Sequence, residues 1–277
     1  MQYENKFHFS LATLNTLGIP FLPPYPKERY KVVAQEFERL ELDVINLQEV
    51  HTYGLLKVLK DRLPSYPHVV YERSFVGPKG GLVTFSRHPL EKLRFTLFTF
   101  ATQPTNWRFL RLLGFYKGTL VSKMMNVPLV IFNTHLTANG AGDWSRGSRL
   151  YPAHEAQLEQ LSKLIGQVTG KESISVVSGD FNIPKCSELY RRFVGLSQAK
   201  DAFGQDETAT FHSEFLPAGK QTHRIDYIFT YSSETKVEVN DSSLLFHDKV
   251  QLLNGKSSYL SDHIGLRAVF SFSPPNA

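Results

Sequence analysis

SISVVSGDFN, residues 173–182, decides the fold. Its first six residues form a nearly continuous apolar and β-branched run, the pattern of a strand covered on both faces. The run ends at Gly179 and turns polar at once, with Asp180 and Asn182 in a GDFN turn. A carboxylate cannot join a buried strand without partners, so Asp180 marks both a strand end and a group with something to bind. LVIF at 129–132 has the same doubly covered character. Working outward, strand patterns are read at Phe7–Asn15, Val44–Glu49, His68–Val76, Gly81–Ser86, Leu129–Leu136, Ile174–Asp180, Arg224–Thr230 and Ile264–Phe272. Helical periodicity lies between them. Over Lys27–Glu41 it aligns Tyr30, Val33, Phe37 and Leu40, and over His154–Val168 it aligns Leu158, Leu161, Ile165 and Val168. Strands alternating with amphipathic helices and hairpin-like pairs predict a layered α/β fold. No shift in composition marks a linker, so one domain over residues 1–277 is expected.

Composition sets the outer bounds. A chain of 277 residues, 42% hydrophobic, can bury a large core without staples, and its one cysteine, Cys186, excludes an internal disulfide. No run approaches the ~20 apolar residues of a membrane span. Met1–Ser10 lacks the apolar core of a secretion signal. The expectation is a soluble protein, cytoplasmic or secreted after removal of a signal. Thirty-one Lys and Arg against 26 Asp and Glu give a net charge of +5. That balance suits an anionic partner but is far from a polybasic nucleic-acid arm.

The chemistry gathers at strand ends. Asn15 closes LATLN, Glu49 closes VINLQE, His135 lies in FNTHL, Asp226 in RIDYIF, and Asp262 with His263 in SDHIGL. In layered α/β folds, ligands bind where loops leave a rigid frame of strand ends. Hard oxygen ligands of this kind suit Mg²⁺ beside phosphate oxygens, amides donate to phosphoryl oxygens, and a histidine handles the proton of an attacking water. Each residue has a plainer reading too. Asn15 and Asn182 read as turn residues, Glu49 as a solvated strand end, His135 as an interior histidine. Asp226 reads as a partner for Arg224, and Asp262–His263 as a cap. Their joint occurrence in this order is what the plain readings do not supply.

The ordered set LNT (14–16), LQEV (47–50), NTHL (133–136), GDFN (179–182), RIDYIF (224–229) and SDHIGL (261–266) resembles the endonuclease/exonuclease/phosphatase superfamily, the fold of DNase I. The resemblance runs over nearly the whole chain. It implies a four-layer α/β/β/α sandwich, two mostly antiparallel sheets between outer helices, and phosphodiester hydrolysis dependent on Mg²⁺ or Mn²⁺. Carried over by motif, Glu49 would be the principal metal ligand, with Asn15 beside it and Asp262 supporting the metal side. Asp180 would orient the attacking water and Asn182 would hold a phosphoryl oxygen. His263 would act as general base with Asp226 fixing its tautomer, and His135 would contact phosphate or protonate the leaving group.

Within that superfamily, LATLNT with a Pro-rich segment after it, and THL followed by Tyr151-x-Ala-His154 on a Gln-bearing helix, are similar to the neutral sphingomyelinase branch. That branch implies a phospholipase C-type reaction on a phospholipid headgroup. Between Phe95 and Met125, and just after Arg94, aromatic residues including Trp107 alternate with Arg108, Arg111 and Lys117. The stretch reads either as a packed hairpin or as an interfacial patch giving peripheral membrane contact. Lys117, before Gly118, and Trp107 are its candidate substrate-binding residues. The alternative partner is nucleic acid, cleaved by a nuclease or nucleotide phosphodiesterase on the same scaffold. No dense cationic stripe interleaved with aromatics supports it.

Overall fold

Along the chain the elements are β1 (Phe7–Asn15), α1 (Pro26–Leu40), β2 (Val44–Gln48), α2 (Tyr53–Lys60), β3 (His68–Arg73), β4 (Pro78–Ser86), β5 (Leu90–Leu97), β6 (Gly118–Met124), β7 (Leu129–His135) and α3 (Tyr151–Val168). They continue with β8 (Ile174–Asp180), α4 (Glu188–Ser197), β9 (Lys200–Asp201), β10 (Asp226–Tyr231), β11 (Val237–Leu245), β12 (Val250–Gln251), β13 (Ser257–Ser258) and β14 (Gly265–Phe272). The structure is a computed structural model and describes residues 6–19, 24–99 and 116–273.

One six-stranded sheet has the order β11-β14-β1-β2-β4-β3, the other β5-β6-β7-β8-β10-β9. Each is antiparallel except for one parallel pair, β1 with β2 and β7 with β8. Parallel neighbours need a crossover, and α1 and α3 supply them. Those two connections explain why the helices lie outside: each must return over its own sheet. Tyr30, Val33 and Phe37 of α1 and Leu55, Leu56 and Leu59 of α2 pack on Ala12, Leu14, Ile45 and Leu47. Leu158, Leu161 and Ile165 of α3, with Leu189 and Phe193 of α4, pack on Val130, Phe132 and Val177. Each such side chain contributes about 1.5–3 kcal/mol of burial. Leu40, expected on the inner face of α1, is instead exposed at its last residue. The four layers are therefore helices, sheet, sheet, helices.

The space between the sheets changes character along the strands. At one end it is apolar, filled by Phe9, Leu11, Val44, Ile131, Val176, Ile228 and Leu266. Two residues further along each central strand, the same period-2 face carries polar groups instead. Asn46 Nδ2 crosses from β2 to Ser178 Oγ (2.8 Å) and the Phe132 carbonyl (3.3 Å). Gln48 Nε2 reaches Asn133 Oδ1 (2.8 Å), and Asn133 Nδ2 returns to the carbonyls of Leu47 (3.1 Å) and Val83 (3.0 Å). All of these side chains are buried. The seam pairs donors that would otherwise cost several kcal/mol in such an interior, and it does so directionally, leaving Gln48 Oε1 as its unpartnered acceptor among the described residues.

Candidate active site

One more step along the same face brings the charged residues. Asn15 follows Thr13 on β1, His135 follows Asn133 on β7, Asp180 follows Ser178 on β8, and Asp226 precedes Ile228 on β10, all with the same parity. Strand register aligns them laterally, because His135 pairs with Asp180 and Asp180 with Asp226 across three neighbouring strands. The pleat therefore aims all four into the open end of the space between the sheets.

They meet there. Asn15 Nδ2 donates to Asp180 Oδ2 (3.0 Å), and His135 Nε2 lies 3.1 Å from the same oxygen. His263, just before β14, places Nδ1 2.9 Å from Asp226 Oδ2. Its Nε2 then faces Asn15 Nδ2 (3.4 Å) and Asp180 Oδ2 (3.7 Å). Phe211 stands edge-on to the His263 ring at 4.9 Å and fixes its plane. Arg224 does not pair with Asp226. Its guanidinium binds Asp201 at Oδ1 (3.0 Å) and Oδ2 (2.5 Å), leaving Asp226 to the histidine.

Lys117 sits in the same cluster, 95% buried, with its amine against the His135 ring (3.0 Å from Nδ1, 2.5 Å from Nε2). The Asp180 carboxylate draws the His135 proton to Nε2, which leaves Nδ1 to accept from the lysine. Burial presses the Lys117 amine down to about 8, against the attraction of Glu49 and Asp180. Burial, and then the Lys117 charge, hold His135 below the usual histidine range, so it is neutral. For His263 burial works downward as well, but the Asp226 and Asp180 carboxylates outweigh it and raise the ring well above its ordinary value. Asp180 shows the reverse balance. Burial pushes its carboxyl up, yet the His263 charge and the hydrogen bond from His135 hold it below the carboxylate range.

Glu49 comes from just past β2, which ends one residue earlier than the sequence suggested. It occupies the left-handed region (φ 61°), rare for a residue with a side chain. Its carbonyl accepts from the His51 amide (2.9 Å) and the Tyr30 hydroxyl (3.2 Å). Gly81 makes this turn possible: with φ +68°, a Cβ there would lie 2.8 Å from Glu49 Cα and 2.9 Å from the His51 ring. The Glu49 Oε2 atom is buried and unpartnered among the described residues. A carboxylate oxygen left without a donor, on a residue whose charge acts on Lys117 and His135, suits a hard divalent cation, so the residues present fit Mg²⁺ or Mn²⁺. Asp180, Asp226 and His263 also have ligand atoms within 4.8 Å of one another. The short Asp226–His263 bond marks those two as a hydrogen-bonded dyad rather than a pair of ligands.

Two expected residues stand at the margin. Asp262 is half-buried, its Oδ1 3.2 Å from Ser261 Oγ, and its charge bears on His263 and Arg29. Asn182 is also left-handed (φ 54°), with its amide nitrogen on Asp180 Oδ1 (2.9 Å) and Nδ2 on the Leu136 carbonyl (3.1 Å). It holds the turn and lines the site together. Trp107 lies outside the described residues. Phe95 is on β5, hairpin-paired with β6, so that part of the aromatic stretch is packed as a hairpin.

Sequence reading missed two supporting residues. Arg29 is buried and donates to the carbonyls of Thr16 (3.2 Å), Leu17 (2.8 Å) and Leu260 (2.6 Å), tying the segment after Asn15 to the one before His263. His51, two residues past Glu49, is buried and pushed down to about 3 by burial and by the Lys117 charge. An arginine on a predicted amphipathic helix signals solvent, and a histidine in a loop signals nothing, so neither had a pattern to find.

A model of the Endonuclease/Exonuclease/phosphatase family matches residues 12–263. The chain is 31% identical over 217 residues to Sphingomyelin phosphodiesterase 2 of Rattus norvegicus, covering 75% of this chain and 49% of that protein. It is 25% identical over 210 residues to Inositol phosphosphingolipids phospholipase C of Schizosaccharomyces pombe, covering 73% and 48%. It thus spans about half the length of these two relatives. D. rerio TDP2, complexed with single strand DNA product, superposes with a TM-score of 0.71 at 19% identity over 95% of this chain and 98% of that one. At that identity the likeness shows the fold alone.

Proposed function

The chain belongs to the endonuclease/exonuclease/phosphatase family, and on that premise we propose that it hydrolyses a phosphodiester of a phospholipid, in the manner of a sphingomyelinase-like phospholipase C dependent on Mg²⁺ or Mn²⁺. The observation that carries the reading is the convergence of Asn15, His135, Asp180, Asp226 and His263 on one point, together with an orphaned Glu49 carboxylate oxygen on a residue whose charge acts on Lys117 and His135. Residues 1–277 act as one catalytic domain.

Glu49, with Asn15 and Asp262 nearby, would hold the cation, which supplies charge neutralisation at the phosphoryl oxygens and an acidified water. Asp180 is ionised and buried, and it orients the water for in-line attack. The His263–Asp226 dyad retains a proton, so in place of the general-base role expected from the sequence His263 Nε2 donates to a phosphoryl oxygen as negative charge builds there, and Asn182 lends an amide hydrogen. Lys117 is charged at neutral pH, and its amine faces the developing charge on the other side, with neutral His135 relaying between it and Asp180. The lipid assignment is supported by the two lipid-hydrolase relatives. No helix among the described residues is long and apolar enough to cross a membrane.

The test is a parallel release assay on sphingomyelin, phosphatidylcholine, single- and double-stranded DNA and RNA, each with Mg²⁺ or EDTA. Headgroup release from a phospholipid, lost in EDTA and in His263→Ala, is the expected result. Turnover that persists in EDTA, or that occurs on nucleic acid alone, overturns the reading.

A further inference from the structure

Beside Asn182 and Phe211 the surface opens into a cavity of about 190 Å³ whose walls include Ala138, Trp144, Phe211, Leu216 and Ile225. Through Asn139, Gly140 and His223 it continues into an outer chamber of about 500 Å³. Together they fall within the size of small-molecule sites. Both walls are anchored to the catalytic residues. Trp144 Nε1 donates to the Asn182 carbonyl (2.8 Å), and the Trp144 ring meets His223 edge-on at 5.4 Å. On the opposite wall, Phe211 packs on His263, and Thr210 Oγ1 accepts from the amides of Ile225 (3.0 Å) and Asp226 (3.1 Å). A cavity with Asn182 on its lining and with Phe211, which packs on His263, as one wall is placed to receive whatever is esterified to the phosphoryl group.

Its chemistry selects the occupant. The inner chamber is lined mainly by hydrocarbon and aromatic carbon. In the outer chamber the lysine of the lining, Lys220, is already engaged, its amine 2.7 Å from the Gly140 carbonyl and 3.2 Å from that of Ala141. A nucleic-acid strand would carry its next phosphate into this space and need a free cation there. A hydrocarbon needs none. Resting on the phosphodiesterase reading above, we infer that this cavity binds the apolar ester substituent of the substrate, a long-chain alcohol, and that Trp144, Phe211 and Leu216 set the preference for it.

The experiment uses the full chain with Mg²⁺ and a soluble series of alkyl phosphocholines from methyl to octyl, followed by phosphocholine release so that the alkanol is the leaving group, with thymidine 5′-phosphocholine as the nucleotide arm. Catalytic efficiency should rise about fourfold for each added methylene until the inner chamber is full. Leu216→Asn, on a half-buried loop position, and Ala138→Glu on the facing wall should each reduce that increment to about twofold or less. Octyl phosphate should inhibit more strongly than methyl phosphate, with the same loss of discrimination in both variants. A wild-type series that is hydrolysed but flat with chain length overturns the inference and leaves the phosphodiesterase reading standing. Preference for the thymidine ester over the octyl ester overturns it in favour of a nucleotide occupant. No hydrolysis of any ester in Mg²⁺ or Mn²⁺ overturns the reading on which it rests.

Discussion

Replacing Lys117 by methionine should make the metal-free protein more stable and less active, and the gain in stability should disappear at high pH. The fall of the amine from 10.5 to about 8, at about 1.4 kcal/mol for each tenfold change in proton affinity, corresponds to roughly 3 kcal/mol spent holding an ammonium in a buried site near neutral pH. Methionine keeps the stem and removes the charge. The substitution also strips His135 Nδ1 of its donor, which costs about 1 kcal/mol. The net gain is about 2 kcal/mol, or roughly 4–8 °C in melting temperature for a chain of this size. The sign of the pH dependence follows from the direction of the shift. Between pH 8 and 10.5 the unfolded chain binds a proton that the folded one has released, so wild-type stability climbs through that window relative to the variant. Thermal unfolding of both proteins in EDTA, near pH 7 and near pH 10, checks this. Turnover should drop by about two orders of magnitude, as expected for a lost electrostatic donor. A variant that is less stable near pH 7, or equally shifted at both pH values, would refute the reasoning, because the amine would then be a structural bond rather than a strained charge.

Glu49→Gln should leave the melting profile intact yet weaken Mg²⁺ binding, followed by calorimetry, by at least ~tenfold, because the orphaned oxygen is the one left free for a cation. In Asp226→Asn, His263 loses the largest charge raising it. The alkaline limb of the rate profile, where the donating imidazolium is lost, should move to lower pH while kcat falls about 10²–10⁴-fold; an unmoved limb would remove the dyad from the mechanism. Gly81→Ala, forced to a positive φ with its Cβ against Glu49 and His51, should cost about 1–3 kcal/mol in urea unfolding and most of the activity.

The layers were readable because both central strand pairs are doubly buried and advertise it in runs such as LVIF and SISVVS. The strand-end residues were readable because a polar group after such a run has few uses. Elsewhere the signal failed for physical reasons. β11 exposes much of its length as an edge strand, and its apolar alternation stops after Val237-Glu238-Val239-Asn240, where a bulge interrupts the pairing. Gln48 and Asn133 look like ordinary strand polar residues, and only pairing across two sheets distant in sequence reveals them as partners. Strand register made Asp226 a neighbour of Asp180 and His263, while the sequence placed it nearest Arg224. Lys117 entered the reading by its position before Gly118, and its burial against His135 is a tertiary fact.

The seam of buried amides has a mechanical consequence. Asn15 and Glu49 ride on one sheet, and Lys117, His135, Asp180 and Asp226 on the other. Grease alone between two slabs would let them creep past each other by fractions of an ångström. Asn46, Gln48 and Asn133 act as dowels that forbid such creep. Alignment of the two half-sites is thus stored in the middle of the molecule, below any reacting atom. A substitution there can detune turnover while every group that touches the substrate keeps its identity.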